Sequence, residues 1–320
     1  MHSFYIPSPD INAFNLGPLQ IKFYSVTMLL AIVVATVYTA RRLTKRGGHE
    51  DAMFYFLVSA VFFGIVGARL YHVITHWDEF FYEGANPLEV FAIWNGGIAI
   101  FGALLGGALG VFLASRLTGV RFWSLADALV PGLLLAQAIG RIGNYFNQEL
   151  FGSPTTLPWG LEIDPGNPAL PVGAPAGVYF HPVFLYEILW NLLGLAVLLT
   201  LEKKLQPRWG KFFGMYLIWY GLGRMALEGI RLDPSYEFFG LRTNGLTALA
   251  AILLGVLIIF IQSRRHTGRE ISVYRDGVDR PGKSTLKDTA DGEKYHHILN
   301  HPEVSNVSAH ETMDSMNQKV

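Results

Sequence analysis

The chain has 320 residues, 51% of them hydrophobic and only 16% charged, with a formal net charge of zero and a mean hydropathy of +0.31. A soluble globular chain carries about 25% charged residues. Here the charge is concentrated after Gly268, so residues 1–267 are more apolar than the average suggests. The absence of cysteine excludes a disulfide framework, a cysteine nucleophile and thiolate metal ligands. Any sulfur chemistry must arrive with a substrate.

In chain order, residues 1–20 lack the basic and apolar regions of a signal peptide and run Pro7-Ser8-Pro9-Asp10-Ile11 toward the first apolar stretch. A bilayer core demands roughly 20 apolar residues of a helix. Seven stretches qualify: Tyr24–Ala40, Met53–Ile74, Gly96–Ser115, Leu125–Gly143, Pro182–Leu201, Phe212–Ile230 and Gly245–Gln262. The fourth is interrupted by Pro131, Gln137 and Arg141. Gly102, Gly106, Gly107 and Gly110 recur at three- and four-residue spacing in the third, which suits close helix contact. The fold expected is therefore an all-α integral membrane protein of seven transmembrane helices, spanning residues 1–267. A polar tail, residues 268–320, has the composition of a disordered segment, and His296 and His297 read as solvated tail residues.

Lysine and arginine orient such a protein. They follow spans one (Arg41, Arg42, Lys45, Arg46), three (Arg116, Arg121), five (Lys203, Lys204, Arg208, Lys211) and seven (Arg264, Arg265, Arg269). The connections His76–Asn95 and Asn144–His181 hold none, and the one after span six holds Arg231 and Arg242. The N-terminus is expected outside and the C-terminus in the cytoplasm. Nearly forty residues, rich in Pro, Gly and Trp, form the connection Asn144–His181, a length that implies a folded element of its own.

Charges inside spans are expensive, at about 2.5–3.5 kcal/mol each on insertion scales, and commonly mark function. In this orientation Arg69, Arg141 and Arg224 all fall in the outer half of spans two, four and six. Snorkelling to the interface is an alternative for Arg69 and Arg141, and too shallow an explanation for Arg224. Tyr220, Arg224 and Glu228 share one face of span six, with Arg231 a turn further; a self-neutralising Arg224–Glu228 pair is the structural alternative. The densest polar run, Gly140-Arg141-Ile142-Gly143-Asn144-Tyr145-Phe146-Asn147-Gln148-Glu149, places a cation, amides and a carboxylate within ten residues. Such a set suits an anionic headgroup, because arginine matches phosphate with two parallel hydrogen bonds. A transporter would instead need polar residues along a continuous path. An intramembrane protease would need paired aspartates or a Ser–His arrangement, and the one aspartate within a span is Asp127, near its cytoplasmic end.

Residues Gly140–Gly152, GRIGNYFNQELFG, resemble the signature of the prolipoprotein diacylglyceryl transferases. Other stretches resemble that family in the same order: Leu16–Leu19 with Ile21–Tyr24, Gly67-Ala-Arg69-Leu-Tyr71, Trp94-Asn-Gly-Gly97, His181-Pro182 with Leu185-Tyr186-Glu187, and Tyr220–Arg224 with Glu228, Arg231, Asp233 and Pro234. The resemblance covers about residues 10–262. It implies a multi-pass protein of the bacterial plasma membrane with its site open to the outer face. The activity it implies moves the diacylglyceryl group of phosphatidylglycerol to the thiol of a preprolipoprotein lipobox cysteine and releases glycerol 1-phosphate. No metal, nucleotide cofactor or nucleic acid is implied. On this resemblance Arg141 and Arg224 bind phosphate and stabilise the leaving group, and Asn144 and Glu149 orient the headgroup, with Glu149 also holding Arg141. Tyr220 and Tyr24 position lipid or peptide, while Glu228, Arg231 and His181 complete the substrate site. One position departs from the pattern: where many members carry a histidine proposed as a base, this chain has Phe101. Glu149, Glu187, His181 and Tyr220 are the remaining candidates, beside a thiol activated by the arginines alone. His181 is equally a helix-start residue fixed by Pro182.

Overall fold

The structure is a computed structural model that describes residues 5–170, 177–232, 237–238, 241–266, 268 and 270–275, the side chains of 237, 238 and 241 excepted. Asp233, Pro234 and the tail beyond Arg275, with His296 and His297, lie outside the described residues. The order is β1 (Ala13–Leu16), β2 (Leu19–Lys22), α1 (Phe23–Lys45), α2 (Ala52–Thr75), α3 (Trp77–Phe80), α4 (Ile100–Thr118), α5 (Phe122–Phe146), β3 (Pro154–Thr155), β4 (Tyr179–Phe180), α6 (Val183–Leu205), α7 (Lys211–Glu228), β5 (Glu237–Phe238), β6 (Leu241–Arg242) and α8 (Thr243–Arg265). The strands form three antiparallel pairs, β1–β2, β3–β4 and β5–β6. Everything else regular is helical.

Six helices, α1, α2, α4, α5, α6 and α8, are long and apolar enough to cross a membrane. A helix satisfies every backbone donor and acceptor internally, which is what a hydrocarbon environment requires. Their outward faces stay apolar: Leu29 and Val33 on α1, Phe62 and Leu70 on α2, Leu104 and Leu105 on α4, Leu189 and Leu193 on α6 and Leu253 and Phe260 on α8 are exposed. In water these faces would be aggregation liabilities; in lipid they are solvated. The protein is a helical membrane protein. The stretch expected as the sixth span is α7, which carries Lys211, Arg224 and Glu228 within 18 residues and is not among the six.

Two compact units are formed, one from the described residues of 1–39 and 126–269, the other from 40–125 and 270–275. In the second unit α2 and α4 pack through glycine. A Cβ on Gly67, Gly102, Gly106 or Gly110 would fall onto the carbonyl oxygens of Gly102, Gly67, Phe63 and Ser59 respectively, so the backbones touch directly. The expected third span is shorter than its apolar run. Gly96 and Gly97 take φ of 90° and 71°, a left-handed region that halts helix formation, and α4 begins only at Ile100.

Just beyond the boundary expected at residue 267, residues 270–275 are packed. Val273 and Tyr274 are buried with Leu43, Phe56, Ala114, Val120 and Leu125. The backbone of 273–275 bonds to Gly119 and Arg121, Ser124 donates to the buried Glu270 carboxylate, and Tyr274 Oη accepts from the His49 N–H at 2.9 Å.

In the first unit Val130, Leu134, Leu198, Phe212 and Tyr216 make a core of α5, α6 and α7. The interrupted fourth span is one continuous helix, α5, with Pro131 inside it. Fully buried Asp127 sits one turn earlier and accepts the N–H groups of Gly210 and Phe213, both at 2.9 Å. That carboxylate caps the start of α7 from another helix, satisfying donors that every helix N-terminus leaves open. The long connection does fold: Phe151, Leu161, Ile163, Phe180 and Phe184 form their own cluster, and Ile6 joins it by a bridge to Leu161.

The α2–α4 seam yields a paired test. Gly106→Ala should destabilise by about 1–3 kcal/mol through overpacking. Gly107→Ala should be near neutral, since its Cβ would meet the nearest atom, Ala60 O, at an ordinary 3.6 Å. Thermal unfolding in detergent micelles measures both.

Candidate active site

The first unit places a carboxylate where no apolar helix could bear one alone. Glu187 lies in the second turn of α6 and is buried. Three arginines converge on it. Arg141 of α5 reaches its Oε2 through Nε. Arg231, just past α7, reaches Oε1 at 2.7 Å, and Arg224 of α7 lies 3.7 Å from the same oxygen. A second buried carboxylate, Glu228, is shared by Arg224 at 3.3 Å and Arg242 of β6 at 3.1 Å. Among the described residues, four guanidiniums thus share two carboxylates, each an interaction that a low dielectric strengthens.

The polar run after Gly140 joins the same network. Arg141 Nη1 donates to Asn144 Oδ1 at 3.1 Å, and Asn144 Nδ2 donates to Glu149 Oε1 at 2.7 Å. Asn147 Nδ2 lies 3.4 Å from that same Glu149 oxygen. Glu149 therefore does not hold Arg141 directly, as expected from the sequence; Asn144 stands between them as a relay. Its conformation is forced on both sides, because Gln148 and Leu150 take φ of 48° and 56°, strained for side chains other than glycine. Hydrogen bonds over-determine the turn. Gln148 Oε1 accepts from Ser8 Oγ at 3.3 Å and the Asp164 N–H at 2.8 Å, and Gln148 O accepts from Asn167 at 2.8 Å.

Two contacts fix how the elements meet. Trp190 of α6 and Trp219 of α7 stack at 4.5 Å, and each indole N–H donates to the other's carbonyl at 3.2 Å. Each ring lies on the other helix's glycine, Gly223 and Gly194, where a Cβ would strike an indole nitrogen. The reciprocal clasp sets the α6–α7 register, with Trp190 three residues after Glu187 and the glycine under its ring, Gly223, one before Arg224. At the head of the helices Gly152 pairs with Arg231 and Ser153 donates to Ile230 O at 2.7 Å. A side chain on Gly152 would meet His181, Ile230 O and Val183 at 2.8–2.9 Å.

The remaining predicted residues are placed as follows. Tyr24, in the first turn of α1, packs its ring on Gly143 of α5. Tyr220 is 39% exposed and stacks on Tyr216 at 6.3 Å. His181 stands immediately before α6; its Nδ1 pairs with Tyr186 Oη at 3.1 Å, and that hydroxyl accepts Trp159 Nε1 at 3.0 Å. No hydrogen bond among the described residues carries Tyr24, Tyr220 or His181 into the arginine network. Arg69, in the other unit, neither snorkels nor waits for an anion. Its donors go to the carbonyls of Glu89, Val90, Gly96 and Gly97 at 2.5–3.0 Å, and it lies over Phe80. Phe101 lies in the first turn of α4 beside the Tyr71 ring.

Sequence reasoning underrated Glu187, treating it as a candidate base, and counted Arg242 only as a loop charge. The signal for Glu187 was available, since a carboxylate near the start of an apolar helix demands a cationic partner. Removing its charge should be costly. Glu187→Gln is expected to destabilise by about 3–5 kcal/mol, the usual cost of breaking a buried pair from one side. Asp51→Asn, in an exposed pair with His49, should change stability by no more than about 1 kcal/mol. Equilibrium unfolding in mixed micelles separates the two.

The model of the family described as prolipoprotein diacylglyceryl transferase matches residues 11–261. A phosphatidylglycerol–prolipoprotein diacylglyceryl transferase of Leifsonia xyli subsp. xyli is 53% identical over 286 residues, covering 87% of this chain and 86% of that protein. A protein of the same name from Cutibacterium acnes (45% identical, 82% and 88% covered) and a phosphatidylglycerol–prolipoprotein diacylglyceryl transferase 2 of Streptomyces coelicolor (39% identical, 88% and 88% covered) are also similar. The matched span contains every residue of the arginine–glutamate network, and the chain belongs to the prolipoprotein diacylglyceryl transferase family.

Proposed function

We propose that this chain transfers the diacylglyceryl group of phosphatidylglycerol to the lipobox cysteine of preprolipoproteins, the first step of lipoprotein maturation. The observation that carries the reading beyond family membership is the convergence of Arg141 and Arg224 on one buried carboxylate between apolar helices. A site that concentrates guanidiniums in a partly buried setting is suited to a phosphodiester headgroup. The cysteine sulfur forms a bond to the glyceryl carbon, the carbon–oxygen bond to phosphate breaks, and glycerol 1-phosphate leaves with the added negative charge. The thiol proton passes to the departing phosphate or to water.

Within that reaction Arg141 and Arg224 hold the phosphate and stabilise the leaving group. Asn144 and Glu149 orient the headgroup, Tyr220 and Tyr24 line the approach of lipid and peptide, and Glu228, Arg231 and His181 support the substrate site. Phenylalanine at position 101 cannot take a proton. Glu187 is engaged by three arginines, and Glu149 by two amides. Cationic surroundings lower the pKa of a thiol, and we assign its activation to them rather than to a dedicated base.

The topology proposed is seven spans in the bacterial plasma membrane, N-terminus outside, C-terminus cytoplasmic, with the site facing outward. Basic residues in the last turns of α1, α4, α6 and α8 support it; they face helix C-termini, where cations are favoured, and lie on the side that positive charge marks as cytoplasmic. α7 is the remaining span, its charges met by partners on neighbouring elements.

Transfer of radiolabelled lipid to a lipobox peptide tests the reading. Arg141→Ala should abolish transfer while the protein still accumulates in membranes, and full activity in that variant would overturn the phosphate assignment. Arg224→Lys should be severely impaired, at least about tenfold, because a point charge cannot reproduce a forked contact. Phe101→Ala should remain active in the same assay.

A further inference from the structure

The four guanidiniums are not equally committed to the two carboxylates. On Glu187, Arg231 sits at 2.7 Å and Arg141 is closer still, whereas Arg224 stands off at 3.7 Å. On Glu228, Arg242 is at 3.1 Å and Arg224 at 3.3 Å, one arginine to each oxygen. Arg224 thus makes the longest contact to both acids. Each acid has a nearer cation that holds it, and on Glu228 that cation is Arg242.

Arg242 is itself fixed by backbone. Its Nη1 donates to the carbonyls of Glu228 and Arg231 at 3.1 and 3.0 Å. These are carbonyls at the C-terminal end of α7 and just beyond it, where helix acceptors lack partners and cations are favoured. The residue lies at the end of β6, paired across from Glu237, and its side chain is 30% exposed. One side chain therefore closes the end of α7 and takes one oxygen of the helix's last carboxylate.

We infer that Arg242 is a positioning residue for phosphate binding: by taking one oxygen of Glu228 it leaves Arg224 only the other, so that the carboxylate neutralises Arg224 in part and the rest of that guanidinium stays available to the lipid phosphate. Without Arg242, both oxygens of Glu228 turn to Arg224 one helical turn away, the i, i+4 spacing at which such pairs form. The carboxylate then competes with the substrate for the same fork of donors. The inference rests on the transferase reading of the site.

The test is the steady-state kinetics of the full chain in mixed micelles, with phosphatidylglycerol varied and a lipobox peptide saturating. Arg242→Gln keeps a donor for the two carbonyls and loses the charge; it should raise the KM for phosphatidylglycerol about tenfold or more, with a smaller change in kcat. Arg242→Lys should stay within about threefold of the parent. The decisive arm is the Glu228→Gln background, where the competing charge is gone and adding Arg242→Gln should leave KM within about twofold of the Glu228→Gln chain. A residue that merely stabilised the end of α7 would lower kcat and the thermal midpoint together at unchanged KM, in either background. Either unchanged KM in Arg242→Gln alone or a full further rise in KM in the Glu228→Gln background overturns the inference. If the parent chain itself transfers no label, the transferase reading has failed instead.

Discussion

A carboxylate on an apolar helix is the constraint that organises this protein. Glu187 cannot be buried without cations around it, because a lone charge in a medium of low dielectric would neutralise or keep the helix out of the membrane. Its partners come from α5, α7 and the turn beyond α7, so satisfying one side chain brings three stretches of chain together. The Trp190–Trp219 clasp and the cap that Asp127 provides to α7 hold the same helices in one register. The resulting assembly is not electrostatically inert. Cations gathered around a buried carboxylate are the site we propose for phosphate, the charge that leaves in the transfer.

Stability and chemistry therefore draw on the same residues here. Replacing the network with well-packed apolar side chains would commonly be neutral or favourable for stability, which fits the phosphate-binding role we propose for it. The strained turn at Gln148 and Leu150 has the same character. Its cost is met by the hydrogen bonds of Ser8, Asp164 and Asn167, and the outcome is a carboxylate aimed at the relay from Asn144.

Much of this was legible beforehand, for physical reasons. Hydrocarbon thickness imposes a length on apolar runs, so helix positions follow from composition, and the glycines at 102, 106 and 110 pointed to a close helix contact without naming α2 as the partner. The run from Gly140 carried its chemistry in its spelling. What could not be read were partnerships between residues far apart in the chain. Arg69 looked like Arg141 in every local respect, yet it ends among the carbonyls of a loop twenty to thirty residues away. Arg242 resembled any charge near a span. The start of α4 moved because Gly96 and Gly97 adopt left-handed backbone, a choice that composition allows without dictating. A polar stretch after Gly268 read as unstructured, since the pocket made for Val273 and Tyr274 is built by residues 43–125 and is invisible locally.

That last segment has a bearing on how the protein is made. The second unit joins residues 40–125 to the distant stretch 270–275, and its core includes Val273 and Tyr274. A ribosome working at about 5–20 residues per second needs roughly 7–30 s to travel from Leu125 to Glu270. Throughout that interval α2 and α4 are already synthesised, while two members of the core they share with Leu43 and Phe56 are not. The contacts of this core are therefore complete only after the last membrane helix has been made, together with the short C-terminal strip that follows it.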